Sequence, residues 1–215
     1  MRYAHSSRAL RTLAFTLTTR EQHAGGPRTA RARAYAALPG KFRITSLPTS
    51  SHTGIVRNRH QLSVFERGRR VGTATRVDLA ILLAYDVFAQ SIDTTIMWLD
   101  SARVRFGLAR RDELDGRRVW VVGAPQGDTT SEQFWVDADR WHVLRVIQRD
   151  PRSPRDLIDI RFTEFVELLG VPVPMRSVIY RHGRLEMSQE VSQVTVNRRV
   201  PASAFDLSRW TDVRP

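Results

Sequence analysis

Residues 115–149 decide the fold, and they read DGRRVWVVGAPQGDTTSEQFWVDADRWHVLRVIQR. Asp115 and Gly116 are typical of a two-residue hairpin turn, because a type I′ turn needs a positive φ at both central residues. The apolar runs on either side are short, rich in β-branched and aromatic residues, and bounded by turn residues. These features favour strands over a helix. Residues 137–140 supply the next tight turn, so the stretch predicts three consecutive antiparallel strands.

The same strand pattern recurs on both sides of this stretch. Residues 13–19, 41–45, 61–65 and 157–165 place larger apolar side chains at alternate positions, which indicates half-buried strands. The alternation slips by one residue within 191–194, which predicts a β-bulge. About ten antiparallel strands follow in order, and a sheet of that size must curl or close.

Residues 77–90 depart from the strand pattern. This segment is too long for a typical strand and rich in Leu and Ala, so it predicts a helix. Its broad apolar face must pack on a partner surface; the face carries Leu79, Leu82, Leu83 and Phe88, with Ile81 and Tyr85 on the flanks. Residues 91–101 predict a second helix, and residues 3–12 fit a short amphipathic one. A curled sheet beside an apolar helix defines a cavity.

Composition sets the class of protein. A length of 215 residues with 41% hydrophobic side chains predicts one globular domain, residues 1–215. The net charge of +12 and a pI of about 11.4 are compatible with nucleic acid, anionic lipid or acidic partners. A general preference for arginine explains the charge equally well. The chain has no cysteine, which excludes disulfides and thiolate metal sites.

No apolar run reaches the ~20 residues of a membrane helix, and the N-terminus lacks the apolar core of a signal peptide. The protein is therefore either cytosolic or begins after a removed export signal.

The search for chemistry predicts no enzyme, metal site or cofactor. The six histidines are isolated, and no GxSxG, Walker or GxGxxG motif is present. Asp137 and Asp139 lie in a predicted hairpin turn, where Asp is favoured for its own backbone bonding. Residues 31–70 are dense in arginine, but no RNA-binding signature accompanies them, so we expect no nucleic-acid partner.

Taken in order, several motifs resemble the LolA family of periplasmic lipoprotein carriers and outer-membrane lipoprotein-sorting proteins. The matching segments are LAFTLTT at 13–19, LPGKFRI at 38–44 followed by Pro48, the strand at 61–65, DGRRVWVV at 115–122, FWVD at 134–137 with LRV at 144–146, Phe162 with Phe165, and VP…FD at 200–206. The resemblance covers nearly the whole chain. It implies an α+β fold, mainly β with helices: a curled antiparallel sheet, or unclosed half β-barrel, of about ten to eleven strands with a helical lid.

The resemblance also implies a function. Acyl chains of a lipid or acylated lipoprotein would lie against the concave face, in a periplasmic monomer whose signal peptide has been removed. The expected apolar lining is Phe15, Leu17, Phe42, Ile44, Leu62, Val64, Trp120, Phe134, Ile158, Ile160 and Phe162 from the sheet, with Leu79, Leu82, Leu83 and Phe88 from the helix. The carrier has a gating Arg where this chain has Leu38, so Arg43 becomes the candidate gate or head-group contact. A membrane acceptor or an envelope partner protein is the implied partner. The alternatives are an envelope-stress sensor on the same scaffold and a basic nucleic-acid-binding β-barrel.

Overall fold

One antiparallel sheet dominates the computed structural model, which describes residues 10–150, 153 and 155–211. Within these residues the sheet has thirteen strands. They are β1 (Thr12–Glu21), β2 (Arg28–Ala37), β3 (Lys41–Ser46), β4 (Gly54–Asn58), β5 (Gln61–Glu66), β6 (Arg69–Thr75), β7 (Ala109–Leu114), β8 (Arg117–Val122), β9 (Gln133–Asp137), β10 (Val143–Arg149), β11 (Leu157–Leu168), β12 (Val171–Arg181) and β13 (Arg184–Val196). Two helices interrupt the strands, α1 (Leu79–Ala84) and α2 (Ile92–Ser101). Single 3-10 turns cover Thr49–Ser51, Asp86–Phe88, Ala202–Phe205 and Leu207–Arg209.

The strand order explains why the sheet stays open. It runs β6-β5-β4-β3-β2-β1-β13-β12-β11-β10-β9-β8-β7. Strands that are consecutive in the chain are therefore neighbours, and the first and last strands pair in the centre of the sheet. The exception is β6 and β7, which lie at opposite edges of the sheet. They are joined by residues 76–108, which contain α1, one 3-10 turn and α2. The predicted fold class, a curled and unclosed antiparallel sheet with helices, is confirmed, although with thirteen strands instead of ten or eleven.

The turn chemistry of the β7–β8 hairpin is as predicted. Asp115 and Gly116 have φ values of 50° and 77°, and Leu114 pairs with Arg117 across the turn. The predicted bulge in β13 is also present, because Thr16 pairs with Ser192 whereas Ala14 pairs with Thr195.

The helix predicted over residues 77–90 is wrong in extent. Asp78 caps the N-terminus of α1 by accepting hydrogen bonds from the backbone N–H groups of Ala80 and Ile81. The helix then ends at Ala84, because Tyr85 leaves the helical region at φ −135°, and a separate 3-10 turn follows. The second helix is confirmed by α2. The helix predicted over residues 3–12 falls largely outside the described residues, and Thr12 already belongs to β1.

The two faces of the sheet are covered by different parts of the chain. The main core lies between the concave face and the helical residues; it includes Leu13, Phe15 and Val146 from the sheet. A smaller cluster forms on the opposite, outer face, where Trp210 stacks on Phe65 with ring centroids 4.3 Å apart. The polar C-terminal segment is thus held down by its aromatic residues. None of the described helices has the length and apolar character needed to cross a membrane.

Candidate functional site

An apolar cavity of about 420 Å³ lies on the concave face of the sheet. Strands β1, β3, β4 and β5 supply one wall, strands β10 to β13 supply the other, and α1 lies over it. Alternating residues of each strand point to one face of a sheet, which is why Phe42 and Ile44 of β3 both reach the cavity while Arg43 between them does not. The volume is within the usual range for small-molecule sites.

Nine of the fifteen expected lining residues meet in this cavity. They are Phe15, Leu17, Phe42, Ile44, Leu62, Val64, Ile158, Ile160 and Phe162. They come from strands far apart in sequence, and the central β1–β13 pairing brings the two sets together. Alternation within each strand places the expected side chains of that strand on one face of the sheet.

The other six expected lining residues lie elsewhere. Leu79, Leu83, Phe88 and Phe134 are buried in the main core without lining the cavity. Leu82 lines a neighbouring polar cavity. Trp120 is half-buried in β8, next to the sheet edge, where the guanidinium of Arg111 lies 5.1 Å from the centre of its ring.

Helix α1 presents a different face to the cavity from the one expected. Its cavity-lining side chains are Ala80 and Ile81, followed by Tyr85 just beyond the helix. The broad Leu face instead packs into the core, because α1 lies against β10 and β12. An apolar stripe that covers most of a short helix does not reveal which side faces a ligand.

Sequence analysis also missed lining residues in β4, β12 and β13. They are Ile55, Pro174, Ile179, Met187 and Val191. The register explains their position, since Ile179 pairs with Ile160 on one side and Met187 on the other. For Ile179, Met187 and Val191, the alternation of side chains in residues 175–181 and 185–191 was the sequence pattern that could have identified them.

A buried polar network anchors the start of α1 at the rim of the cavity. The Gln148 side chain donates to Asp78 Oδ1 at 3.2 Å and accepts from the Ala80 backbone N–H at 3.0 Å. Arg57 Nη1 lies 3.5 Å from Asp78 Oδ2. This Arg57 nitrogen is buried and makes no hydrogen bond with the described residues. The cavity therefore contains one cationic donor that is not fully used.

Asp86 ties the end of the helical segment to the β2–β3 turn. Its Oδ1 accepts a hydrogen bond from the Gly40 backbone N–H at 2.8 Å. Burial raises the pKa of Asp86 to about 6, against the opposing effects of the Gly40 hydrogen bond and the nearby Arg57 charge. A buried carboxylate that has no tightly bound cation carries a desolvation cost.

Comparison with known proteins supports the fold assignment. No protein-family model and no curated protein matches the chain. Among solved structures, a domain from Vibrio parahaemolyticus provisionally assigned to outer membrane lipoprotein sorting superposes with a TM-score of 0.67 at 11% identity, covering 98% of this chain and 94% of that one. A LolA superfamily protein from Nitrosomonas europaea gives a TM-score of 0.59 at 13% identity, covering 95% of this chain and 96% of that one. The chain has a LolA-like fold. A DUF1329 family protein from Desulfovibrio piger is also similar, with a TM-score of 0.62 at 13% identity over 97% of this chain and 95% of that one.

Arg43, the candidate gate, lies on the outer face of this LolA-like sheet. It is 1% exposed, and its guanidinium donates to the carbonyl oxygens of Ala204 at 3.0 Å and Trp210 at 2.8 Å. The same guanidinium lies 4.1 Å from the centre of the Trp210 ring. Arg43 therefore fastens the C-terminal segment to the sheet and does not reach the cavity. Within the part of the chain that the structure describes, no group of three or more His, Asp or Glu side chains is placed to hold a metal ion.

Proposed function

We propose that the chain binds an acyl chain of a lipid or acylated lipoprotein in the apolar cavity, without catalysis, as a carrier in the periplasm. Residues 1–215 would act as one lipid-binding domain. The observation that carries this proposal is the cavity itself. Large apolar side chains from both halves of an open LolA-like sheet converge there around space for a ligand.

The energetics of acyl binding suit such a cavity. Each buried methylene contributes about 0.8 kcal/mol, so about ten methylenes contribute about 8 kcal/mol before ordering costs are subtracted. That gross value corresponds to a dissociation constant no tighter than about 1 μM, and the ordering costs weaken the affinity further. A carrier has to release its ligand, so moderate affinity agrees with transfer to a membrane acceptor or an envelope partner protein.

Arg57 is the polar contact that we propose for the ligand. It lines both the apolar cavity and the neighbouring polar cavity, and its Nη1 is buried without a hydrogen bond to the described residues. A buried donor is stabilised strongly by an acceptor such as an ester carbonyl or a phosphate oxygen. Arg57 would thus take the head-group role that the resemblance suggests for Arg43.

A cavity-filling variant tests the proposal. Val64 lines the cavity and pairs with Gly72 of β6, which has no side chain to clash with a larger residue at position 64. We expect Val64→Trp to fold normally and to weaken binding of a dansyl-labelled fatty acid about tenfold or more, because the indole takes up the space of the ligand. Fluorescence titration measures the affinity, and thermal denaturation verifies the fold.

Val71→Trp is the matched control. Val71 lies in the neighbouring strand β6 and is 55% exposed, so the same substitution there adds a ring without filling the cavity. Its affinity should equal that of the parent protein. If the parent does not bind the probe saturably, or if Val64→Trp binds it as tightly as Val71→Trp, the apolar cavity is not an acyl site.

A further inference from the structure

A second cavity, of about 670 Å³, lies at the C-terminal end of α2. It is bounded by the end of β6, the residues after α2, the loop before β9 and the end of β10. Its lining is His60, Thr75, Arg76, Val77, Trp98, Ser101, Ala102, Arg103, Arg105, Thr130, Ser131, Glu132 and Arg149. None of these residues lines the apolar cavity, although His60, Val77 and Trp98 also line the neighbouring polar cavity. We call this second site the basic cavity.

The charge of the basic cavity is strongly positive. Four arginines from three separate segments line it, and Glu132 is the one carboxylate among the described residues of its lining. Glu132 Oε1 accepts from Arg76 Nη2 at 2.6 Å and from the Arg149 backbone N–H at 3.2 Å. Glu132 therefore compensates Arg76. Among the described residues of the lining, no second carboxylate compensates Arg103 or Arg105. Arg149 has partners of its own, since its Nη1 donates to the Arg155 carbonyl oxygen at 3.2 Å.

Arg103 and Arg105 differ in how far other residues fix their side chains. Arg103 is exposed, and its side chain makes no ion pair or hydrogen bond with any described residue. Arg105 is positioned by the loop before β9, since its Nη2 donates to Ser131 Oγ at 2.9 Å and its Nε to the Gly123 carbonyl at 3.3 Å. Asp128 lies 3.5 Å from Arg105 and offsets part of its charge. Hydrogen bonds from Ser131 and Thr130 lower the pKa of Asp128 to about 2 and occupy its oxygens.

The arginines are not needed to cap α2. The backbone carbonyls of Trp98, Leu99 and Asp100 at its C-terminus already accept N–H hydrogen bonds from Ala102, Val104 and Arg103. A helix C-terminus favours cations only within its last turn, whereas Arg76 and Arg149 come from other parts of the fold. Capping of α2 therefore does not explain why the four side chains converge.

An unused polar atom lies on His60, which lines both the basic cavity and the neighbouring polar cavity. His60 Nδ1 is buried and has no hydrogen-bond partner among the described residues. Its ring packs against Trp98 with centroids 5.3 Å apart, which fixes the plane of the imidazole. Buried polar atoms in proteins are nearly always satisfied, so a ligand or a bound water is expected to complete this one.

We propose that the basic cavity binds a phosphoryl anion that is esterified to a small organic group. Guanidinium groups match phosphate oxygens in charge and in bidentate geometry. The volume lies within the range of small-ligand sites and accommodates an organic group in addition to the phosphate. The ligand is either the head group of an anionic phospholipid or a soluble phosphate ester.

Calorimetric titration at constant ionic strength tests this proposal with two probes, glycerol 3-phosphate and micelle-free dihexanoyl phosphatidylglycerol. The informative variant is Arg103→Gln, because Arg103 has no structural partner whose loss would perturb the fold. We expect it to weaken binding about tenfold or more, as removal of a hydrogen bond to a charged group does. Arg28→Gln is the matched control, since Arg28 is exposed at the start of β2 and should bind as the parent does. In the parent, the imidazole resonances of His60 should shift on saturation.

The two probes distinguish the sources of the phosphate. Binding of glycerol 3-phosphate that Arg103→Gln weakens identifies a soluble ester, and binding of the lipid alone that Arg103→Gln weakens identifies a head group. Absence of saturable binding of both probes, or equal affinities of the Arg103→Gln and Arg28→Gln variants, overturns the proposal, as does a preference for single-stranded RNA. Arg103→Gln should leave binding of the dansyl fatty acid unchanged, so this proposal and the acyl site fail independently.

Discussion

Ile81 and Leu83 form a matched pair that tests how α1 faces the ligand. The two residues are two positions apart in one short helix, but Ile81 lines the apolar cavity whereas Leu83 is 8% exposed in the core. Asn has the same low helix propensity at either site. A comparison of Ile81→Asn with Leu83→Asn therefore isolates the effect of the direction in which each side chain points.

The expected magnitudes differ between fold and binding. Leu83→Asn loses about 1.5–3 kcal/mol of apolar burial and leaves a buried amide unsatisfied at a cost of about 1–3 kcal/mol. The free energy of unfolding should therefore fall by about 2.5–6 kcal/mol. That is a large part of a typical total of about 5–15 kcal/mol. Ile81→Asn removes a half-buried side chain and should cost less stability. It should instead weaken acyl binding by about 1–2 kcal/mol, or roughly five- to thirtyfold.

Urea denaturation measures the stability of both variants, and titration with the dansyl fatty acid measures their affinity. The reasoning is refuted if Leu83→Asn unfolds at the same urea concentration as the parent. It is equally refuted if Ile81→Asn remains folded and binds the probe with unchanged affinity, because α1 would then form no part of the binding wall.

Two further predictions concern stability. The folded-state pKa of Asp86 is raised from 3.8 to about 6. Between these two pH values the folded protein holds a proton that the unfolded chain has released. The stability that this bound proton contributes is lost as the pH rises through about 4 to 6. Asp86→Asn keeps an acceptor for the Gly40 N–H and should stabilise the protein at pH 7 by up to about 3 kcal/mol, with no gain below pH 4. Urea denaturation measures the difference in unfolding free energy between this variant and the parent, and a difference that does not change with pH would contradict the prediction. Trp210→Ala should cost about 3–5 kcal/mol, since Trp210 is 3% exposed between Phe65 and Arg43. Calorimetry should show a melting temperature lower by about 10 °C with acyl binding unchanged, and loss of binding in the still-folded variant would show that the outer face contributes to the site.

Local patterns were sufficient for most of the secondary structure. A strand has a side-chain period of two, so alternation identified the strands and the face on which Phe42 and Ile44, or Ile158 and Ile160, lie. Turn chemistry placed the hairpin at Asp115 and Gly116, because few residues tolerate positive φ. The order of the motifs also carried the resemblance to LolA, which the superposed structures support at the level of the fold.

Only the tertiary structure decided which apolar residues surround empty space and which pack in the core. Leu83 and Ile81 are chemically alike, and the docking of α1 on β10 and β12 determines that one is buried and the other lines the cavity. Alternation with Phe42 predicts the face of the sheet on which Arg43 lies. The partner of Arg43 is the C-terminal segment about 160 residues later, and that contact depends on how the chain returns across the outer face. The convergence of Arg76, Arg103, Arg105 and Arg149 has the same origin. Periodicity is a local property of the chain, whereas a cavity forms where surfaces distant in sequence meet without filling the space between them.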